Sequence, residues 1–237
     1  MCTRYLLLER DYRAIMDRLG IPAPAQFLSR YNIAPNSVVP AVRAAAGATA
    51  REAVALRWGL VPAWAKTDEG ARLVNARAET LAEKPAFRDA VRRRRCVIPA
   101  SGFYEWEHRG RARLPWVFRR RDGQPFGFAG LWETWRAPDG AALETCTLVT
   151  TTPNELVQPI HNRMPVMLAP EEFDAWLDPN VTDPGRLAPL LRPPAADSMS
   201  SVAVSRRVGN VRYDAPDCLA PAEADGDSDG PQLSLGF

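Results

Sequence analysis

The sequence predicts an α+β domain whose core is a curled antiparallel sheet or barrel, with short flanking helices. Three observations carry this expectation: the middle of the chain holds five strand-like runs spaced by turn signals, the helical patterns are short, and there is neither an internal repeat nor a βαβ alternation. Arg10 to Leu19 carries Tyr12, Ile15, Met16 and Leu19 at helical spacing and stops at Gly20 before Pro22, which predicts a short amphipathic helix. After a proline-punctuated stretch come strand-like runs at Ser37–Val42 and Ala53–Trp58, then a Pro/Gly loop from Gly59 to Trp64. Glu79–Arg93 has a helical composition, with Pro85 expected to split it or to start its second half. The five central strands are expected at Cys96–Pro99, Gly102–Glu107, Leu114–Arg120, Phe126–Trp135 and Glu144–Thr151. Arg109-Gly110, Asp122-Gly123 and Pro138-Asp139-Gly140 separate them, the punctuation of antiparallel hairpins. Short helices are expected again at Pro153–Val157 and Pro170–Leu177, and a last strand at Ser201–Ser205.

A chain of 237 residues with 46% hydrophobic and 24% charged residues suits one globular domain, placed at residues 1–213. No apolar run reaches the length of a membrane span, and Met1 to Arg13 is too charged for a signal peptide, so a cytoplasmic protein is expected. Cys2, Cys96, Cys146 and Cys218 lie far apart without a C-x-x-C pair, and only His108 and His161 could join them, so reduced thiols are expected rather than disulfides, a metal site or a cofactor. The net charge of +2 hides a division. Residues 214–237 hold six acids and no Lys or Arg, which leaves 30 minus 22, or +8, on residues 1–213. Nearly all the positive charge is arginine, whose planar fork suits phosphate; a GC-rich coding sequence produces the same bias. Residues 214–237 are expected to form an acidic, disordered carboxy-terminal tail, read most clearly from Ala220 onward.

Cysteine stands at position 2. Aminopeptidases remove an initiator methionine before a small residue, and the mature chain would then begin with an α-amine beside a thiol. The amine titrates near ~7.7 to 8.0 and the thiol near ~8.5, so both are available near neutral pH. Such a pair can attack an acyl carbon, or condense with an aldehyde and close a five-membered thiazolidine.

Five further segments combine polar groups with rigid surroundings. Asn75, Arg77 and Glu79 alternate ahead of the expected helix and would share one face of an extended strand; a helix-capping segment explains the same residues. Glu105 lies between aromatics in Gly102-Phe103-Tyr104-Glu105-Trp106, where a carboxyl of raised pKa would serve as a general acid, or sits on a solvated strand face. His161 occupies a loop between Pro159 and Pro165. The Arg30–Pro35 and Trp58–Trp64 loops offer arginine, tyrosine and tryptophan for phosphates and bases, or as ordinary core. Arg92 to Arg95 forms a basic run at a helix end, a solvated face or a phosphate patch.

Taken in order, Met1-Cys2, Tyr31-Asn32-Ile33-Ala34-Pro35, Trp58-Gly59-Leu60-Val61-Pro62, Asn75-Ala76-Arg77-Ala78-Glu79-Thr80, Ile98-Pro99-Ala100-Ser101-Gly102-Phe103-Tyr104-Glu105-Trp106, Ile160-His161-Asn162-Arg163-Met164-Pro165 and Val208-Gly209-Asn210 resemble the SRAP family of SOS-response-associated peptidases, or abasic-site-processing proteins, from Cys2 to about Tyr213. The resemblance implies a covalent thiazolidine between Cys2 and the aldehyde of an abasic site in single-stranded DNA, which shields the lesion in the DNA damage response. It implies that Cys2 supplies amine and thiol, Asn75 positions them, Glu105 is the acid/base and His161 assists proton transfer. Arg4, Arg77 and Arg163 would grip phosphates, and Trp64 would wedge against a base. The family name also implies self-removal of Met1. The expected partner is abasic single-stranded DNA, with no membrane and no metal; the protein would act as a monomer, associated with the nucleoid when DNA-bound. An N-terminal-nucleophile amidohydrolase and a non-catalytic single-strand-binding module are the competing readings. Thr3 stands where the family often has glycine, and Val211-Arg212-Tyr213-Asp214 departs from its common ending.

Overall fold

The computed structural model describes residues 2–24, 26–45, 50–68, 73–110 and 112–222. In chain order the elements are β1 (Tyr5–Leu7), α1 (Glu9–Arg18), β2 (Arg30–Ile33), β3 (Val38–Ala44), β4 (Arg51–Trp58), β5 (Asn75–Arg77), α2 (Ala90–Arg93), β6 (Arg95–Ala100) and β7 (Gly102–Arg109). They continue with β8 (Ala112–Arg120), β9 (Phe126–Arg136), β10 (Ala142–Thr151), β11 (Met164–Pro165), β12 (Met167–Leu168), α3 (Phe173–Leu177) and β13 (Met199–Ala203), with short 3₁₀ turns between.

Two sheets form. In the first, β4, β3, β6, β9 and β10 pair in succession and β10 returns to β4, closing a five-stranded barrel that leaves none of these strands as an open edge. The second is a curled sheet in the order β13-β8-β7-β1-β2. This is the expected α+β architecture, with one difference: β10 runs parallel to both β4 and β5. The chain passes between the sheets at Ser101, which alone separates β6 from β7. Ser101 is fixed there by its amide, which donates to the Leu6 carbonyl at 2.8 Å, and by its hydroxyl, which accepts from the Leu8 amide at 2.8 Å.

The barrel is packed with aromatics. The Tyr5 ring meets Trp58 at 5.5 Å and Phe128 at 5.4 Å, both edge-on. Gly127 on β9 lets β6 and α3 approach, because a Cβ there would stand 2.2 Å from Val97 Cγ1 and 3.0 Å from Phe173 Cε1. Gly127→Ala is therefore expected to destabilise the fold by about 1–3 kcal/mol. Urea unfolding measures it, and an unchanged midpoint would contradict this packing.

Three expected elements differ. Glu79–Arg93 is not a helix: only a 3₁₀ turn at Ala78–Thr80 and the single turn of α2 are helical, with turns on either side of Pro85. Pro153–Val157 is not a helix: residues 155–160 form a turn, at whose start the Asn154 side chain accepts from the Val157 amide at 3.1 Å and donates to the Pro194 carbonyl at 3.0 Å. The Arg92–Arg95 run is divided. Arg95 is buried, its guanidinium donating to the carbonyls of Val91, Arg92, Trp176 and Asp178 at the ends of α2 and α3, while Arg94 pairs with Glu133 at 2.8 Å. The expected acidic tail contributes its first residues to the fold: Pro216–Leu219 forms a 3₁₀ turn and Cys218 is buried. Residues 223–237 lie outside the described residues.

Candidate active site at the amino terminus

The start of the chain is built into the curled sheet. β1 lies between β2 and β7, with Tyr5 opposite Ile33 on one side and Phe103 on the other. The pairing extends one residue upstream, where the Tyr104 amide donates to the Arg4 carbonyl at 3.0 Å. Cys2 is thereby held at the mouth of a three-strand platform and is fully buried. Its thiol donates to the Arg4 carbonyl at 3.6 Å, and burial, reinforced by the Glu105 carboxylate, raises its pKa well above the ordinary range.

Three distant segments converge on Cys2. Asn75, at the start of β5, donates from Nδ2 to the Cys2 carbonyl at 2.9 Å, while its buried Oδ1 has no protein partner. Trp58 supports this strand, donating from its indole to the Val74 carbonyl at 2.9 Å. Glu105, on β7, is only 3% exposed, and its buried Oε1 also lacks a hydrogen-bond partner. Burial pushes its pKa up to about 7. His161 Nδ1 stands 3.8 Å from that same oxygen, beyond hydrogen-bonding distance. The same nitrogen lies 3.0 Å from the carbonyl oxygen and 3.1 Å from the amide nitrogen of Arg163, so either tautomer of the ring has a backbone partner there. Burial lowers the His161 pKa and favours the neutral ring. Orphaned polar atoms are costly in a folded interior, and Asn75 Oδ1 and Glu105 Oε1 are two of eight such buried side-chain atoms among the described residues.

The expected phosphate-binding arginines occupy three different situations. Arg77 is exposed at the end of β5. Arg163 is held by both Glu79 carboxylate oxygens, at 2.6 and 2.9 Å, and by the Thr150 carbonyl at 2.6 Å. Glu79 thus turns away from the shared face expected for Asn75, Arg77 and Glu79, because β5 ends at Arg77. Arg4 lies over the Trp106 ring at 5.7 Å and donates to Asn32 Oδ1 and the Val208 carbonyl, both at 2.8 Å. Trp64 is 68% exposed on the loop after β4. Beside Thr3 opens a groove of about 360 Å³ lined by Arg4, Trp106, Arg113, Arg206 and Gly209.

The family model described as SOS response associated peptidase (SRAP) matches residues 1–211. The chain belongs to the SRAP family. It is 39% identical to the abasic site processing protein YoqW of Bacillus subtilis over 224 residues, covering 92% of this chain and 99% of that protein. It is also 32% identical to the abasic site processing protein HMCES of Gallus gallus, covering 81% of this chain and 66% of that one. Among solved structures, a protein from Bacteroides thetaiotaomicron superposes with a TM-score of 0.82 at 25% identity, covering 94% of this chain and 100% of that one. A phage-related protein from Bordetella bronchiseptica superposes with a TM-score of 0.70 at 26% identity, covering 91% of this chain and 100% of that one.

This SRAP chain also uses residues to which its sequence assigned no role. Asn32 holds Arg4 through Oδ1, and its Nδ2 contacts the carbonyls of Val208, Asn210 and Tyr213 at 3.1, 2.9 and 2.7 Å. Asp214, to which no function was carried, accepts from the amides of Tyr31 and Asn32. The segment around residue 210 is thus strapped to the platform that carries Cys2. Only Asn32's place in the Tyr31–Pro35 motif signalled this, since its partners lie about 180 residues away.

Proposed function

We propose that this SRAP protein processes abasic sites in single-stranded DNA, closing a thiazolidine between its mature amino-terminal cysteine and the ring-opened sugar aldehyde. The observation that carries the reading is the convergence on Cys2 of an amide that holds its carbonyl and a buried carboxyl with one unpartnered oxygen. The abasic-site-processing names of the relatives support it.

The Cys2 α-amine, exposed once Met1 is removed, attacks the aldehyde carbon and gives a carbinolamine. Protonated Glu105 donates to the departing hydroxyl, water leaves and an iminium ion forms. The thiol adds to the iminium carbon and loses its proton to the Glu105 carboxylate. One water is released overall, and the iminium is consumed before elimination can break the strand. His161 assists at the sugar oxygen and Asn75 fixes the geometry. Self-removal of Met1 would use the same thiol, through an acyl shift from nitrogen to sulfur and hydrolysis of the thioester. Met1 lies outside the described residues.

DNA is held by charge and stacking. Arg77 offers an exposed guanidinium, a phosphate replaces Glu79 on Arg163, Arg4 contributes to the groove beside Thr3, and Trp64 wedges against a base. The protein acts as a monomer in the cytoplasm, on the nucleoid when bound to DNA, without metal or cofactor. Among the described residues no helix is long and apolar enough to cross a membrane.

Intact-mass analysis tests the reading. The expected product is the chain lacking Met1 joined to the abasic oligonucleotide less one water, and a mass unchanged after incubation would overturn it. Arg77→Ala is expected to weaken binding to a non-reactive abasic analogue and to flatten the salt dependence by about one phosphate contact, roughly 0.7 in the log–log slope. Anisotropy titrations at several salt concentrations measure this, and an unchanged slope would remove Arg77 from the phosphate path.

A further inference from the structure

Two side-chain amides hold the first residues of the mature chain. Asn75 reaches the Cys2 carbonyl from β5, and Asn32, on β2, reaches the Arg4 guanidinium. Asn75 takes part in the proposed chemistry, whereas Asn32 has no part in it. Yet Asn32 is 3% exposed and its amide is used to capacity: Oδ1 accepts from Arg4 Nη1, while the two hydrogens of Nδ2 are shared among the carbonyls of Val208, Asn210 and Tyr213. Arg4 Nη1 also donates to the Val208 carbonyl, so Arg4, Asn32 and Val208 close a ring of three hydrogen bonds. Arg4 Nη2 adds the Gly209 carbonyl at 3.4 Å. A buried polar network whose members are satisfied specifies one arrangement, because a shift of any member leaves another without its partner.

The ring stands where pairing of the main chain with β2 runs out. β1 pairs with β2 from Tyr5, opposite Ile33, so Arg4 lies one residue before the ladder and Asn32 lies next to the paired Ile33. Toward β7 the backbone does the holding: the Tyr104 amide donates to the Arg4 carbonyl at 3.0 Å, and that same carbonyl accepts from the Cys2 thiol at 3.6 Å. Toward β2 the Arg4 side chain does it instead, through Asn32. The residue whose carbonyl receives the Cys2 thiol is thus tied to both neighbouring strands.

We propose that Asn32 is a positioning residue for Cys2: by locking Arg4 against the 208–213 segment, it fixes the main chain that presents the amino-terminal amine and thiol to Glu105. Its value to catalysis rests on the abasic-site reading; the tether itself does not. Misplacing a reacting group by about 1 Å costs on the order of 10²-fold in rate, so a loosened amino terminus should react more slowly on the lesion. The same loosening uncovers a buried thiol, which should then react faster with a small reagent in solution. The two opposite signs separate positioning from plain loss of stability.

The test uses the full chain with Met1 removed by a methionine aminopeptidase. Its probe is 2-cyanobenzothiazole, whose nitrile carbon takes up the amine and thiol of an amino-terminal cysteine to give a thiazoline with loss of ammonia. Asn32→Ala should raise the labelling rate at least about fivefold. It should slow adduct formation at saturating abasic oligonucleotide at least about tenfold. Gly127→Ala, whose added methyl meets Val97 and Phe173, is the destabilised control and should leave both rates parental. Arg4→Met should repeat the faster labelling with Asn32 intact, which keeps the test decisive if Asn32→Ala fails to fold, and the double variant should label no faster than either single one. Parental labelling rates in Asn32→Ala or Arg4→Met, labelling raised equally by Gly127→Ala, or an adduct formed by Asn32→Ala as fast as by an active parent overturns the proposal. A parent that forms no adduct sinks the abasic-site reading, and the labelling rates alone then decide whether Asn32 holds Cys2.

Discussion

Cys2→Ala is expected to abolish the heat-stable adduct with abasic single-stranded DNA, a loss of more than about 10³-fold in yield, without abolishing the first chemical step. Alanine is small enough for Met1 to be removed, so the variant still begins with an α-amine and still condenses with the aldehyde. It lacks the sulfur that closes the ring. The imine should therefore be trapped by borohydride but hydrolyse on heating. Gel analysis with and without reductant separates the two steps. An undiminished heat-stable band from Cys2→Ala would refute the thiazolidine. Salt-sensitive DNA binding with no reducible adduct, in parent and variant alike, would instead favour a passive single-strand-binding module, and ammonia release from glutamine would favour an amidohydrolase. Burial makes the expectation sharper: with the thiol pKa raised, sulfur is delivered as a protonated thiol and needs an adjacent base during ring closure.

Glu105→Gln is expected to slow adduct formation by about 10²–10⁴-fold while changing affinity for a non-reactive abasic analogue little. The amide fills the same space and cannot donate or take up the travelling proton. The pH profile adds a second readout. The reaction needs the amine neutral, with a pKa of ~7.7 to 8.0, and the carboxyl protonated, with a pKa of about 7. The parental rate should peak between these values and fall on both sides, and Glu105→Gln should lose the fall on the alkaline side. Stability follows the same group with a definite sign. Burial raises the Glu105 pKa from 4.5 to about 7 in the folded protein, so the folded state binds the extra proton across that interval. The parent therefore loses stability as pH rises through it, and Glu105→Gln does not. The variant should melt above the parent at pH 8 and converge with it near pH 4. Unchanged kinetics with unchanged melting would place Glu105 outside the chemistry.

The long strands were legible because they are half-buried surfaces of a closed barrel and a curled sheet, and alternation with turn residues such as Asp122-Gly123 marks them. β1 and β2 were not. Tyr5–Leu7 is buried on every side and shows no alternation, and Arg30–Ile33 becomes a strand through Asp214 and Asn32, whose partners are remote in sequence. The expected helix over Glu79–Arg93 failed because Pro85 interrupts it and Arg95 turns inward to cap α2. Cys2, Asn75, Glu105 and His161 were legible as an ordered set of motifs, and their convergence follows from β1 pairing with β7, from the Asn75 side chain reaching the Cys2 carbonyl and from His161 standing beside Glu105. The occupation of Arg163 by Glu79, and of Arg4 by Asn32, was not legible, since ion pairs and strap contacts between distant segments leave no local pattern.

The position of β1 has a mechanical consequence. Cys2, proposed above to capture the lesion, leads into a strand held between two neighbours, β2 on one side and β7 on the other. Once the adduct forms under the proposed chemistry, a motor pulling on the DNA draws on β1 through Cys2, Thr3 and Arg4, which are themselves tied to Asn75 and Tyr104, and loads the hydrogen bonds of β1 to both neighbours together. Ladders loaded in parallel yield at far higher force than a frayed terminus opened one bond at a time. Lesion and protein would therefore part by reversal of the ring or by proteolysis of the body more readily than by traction.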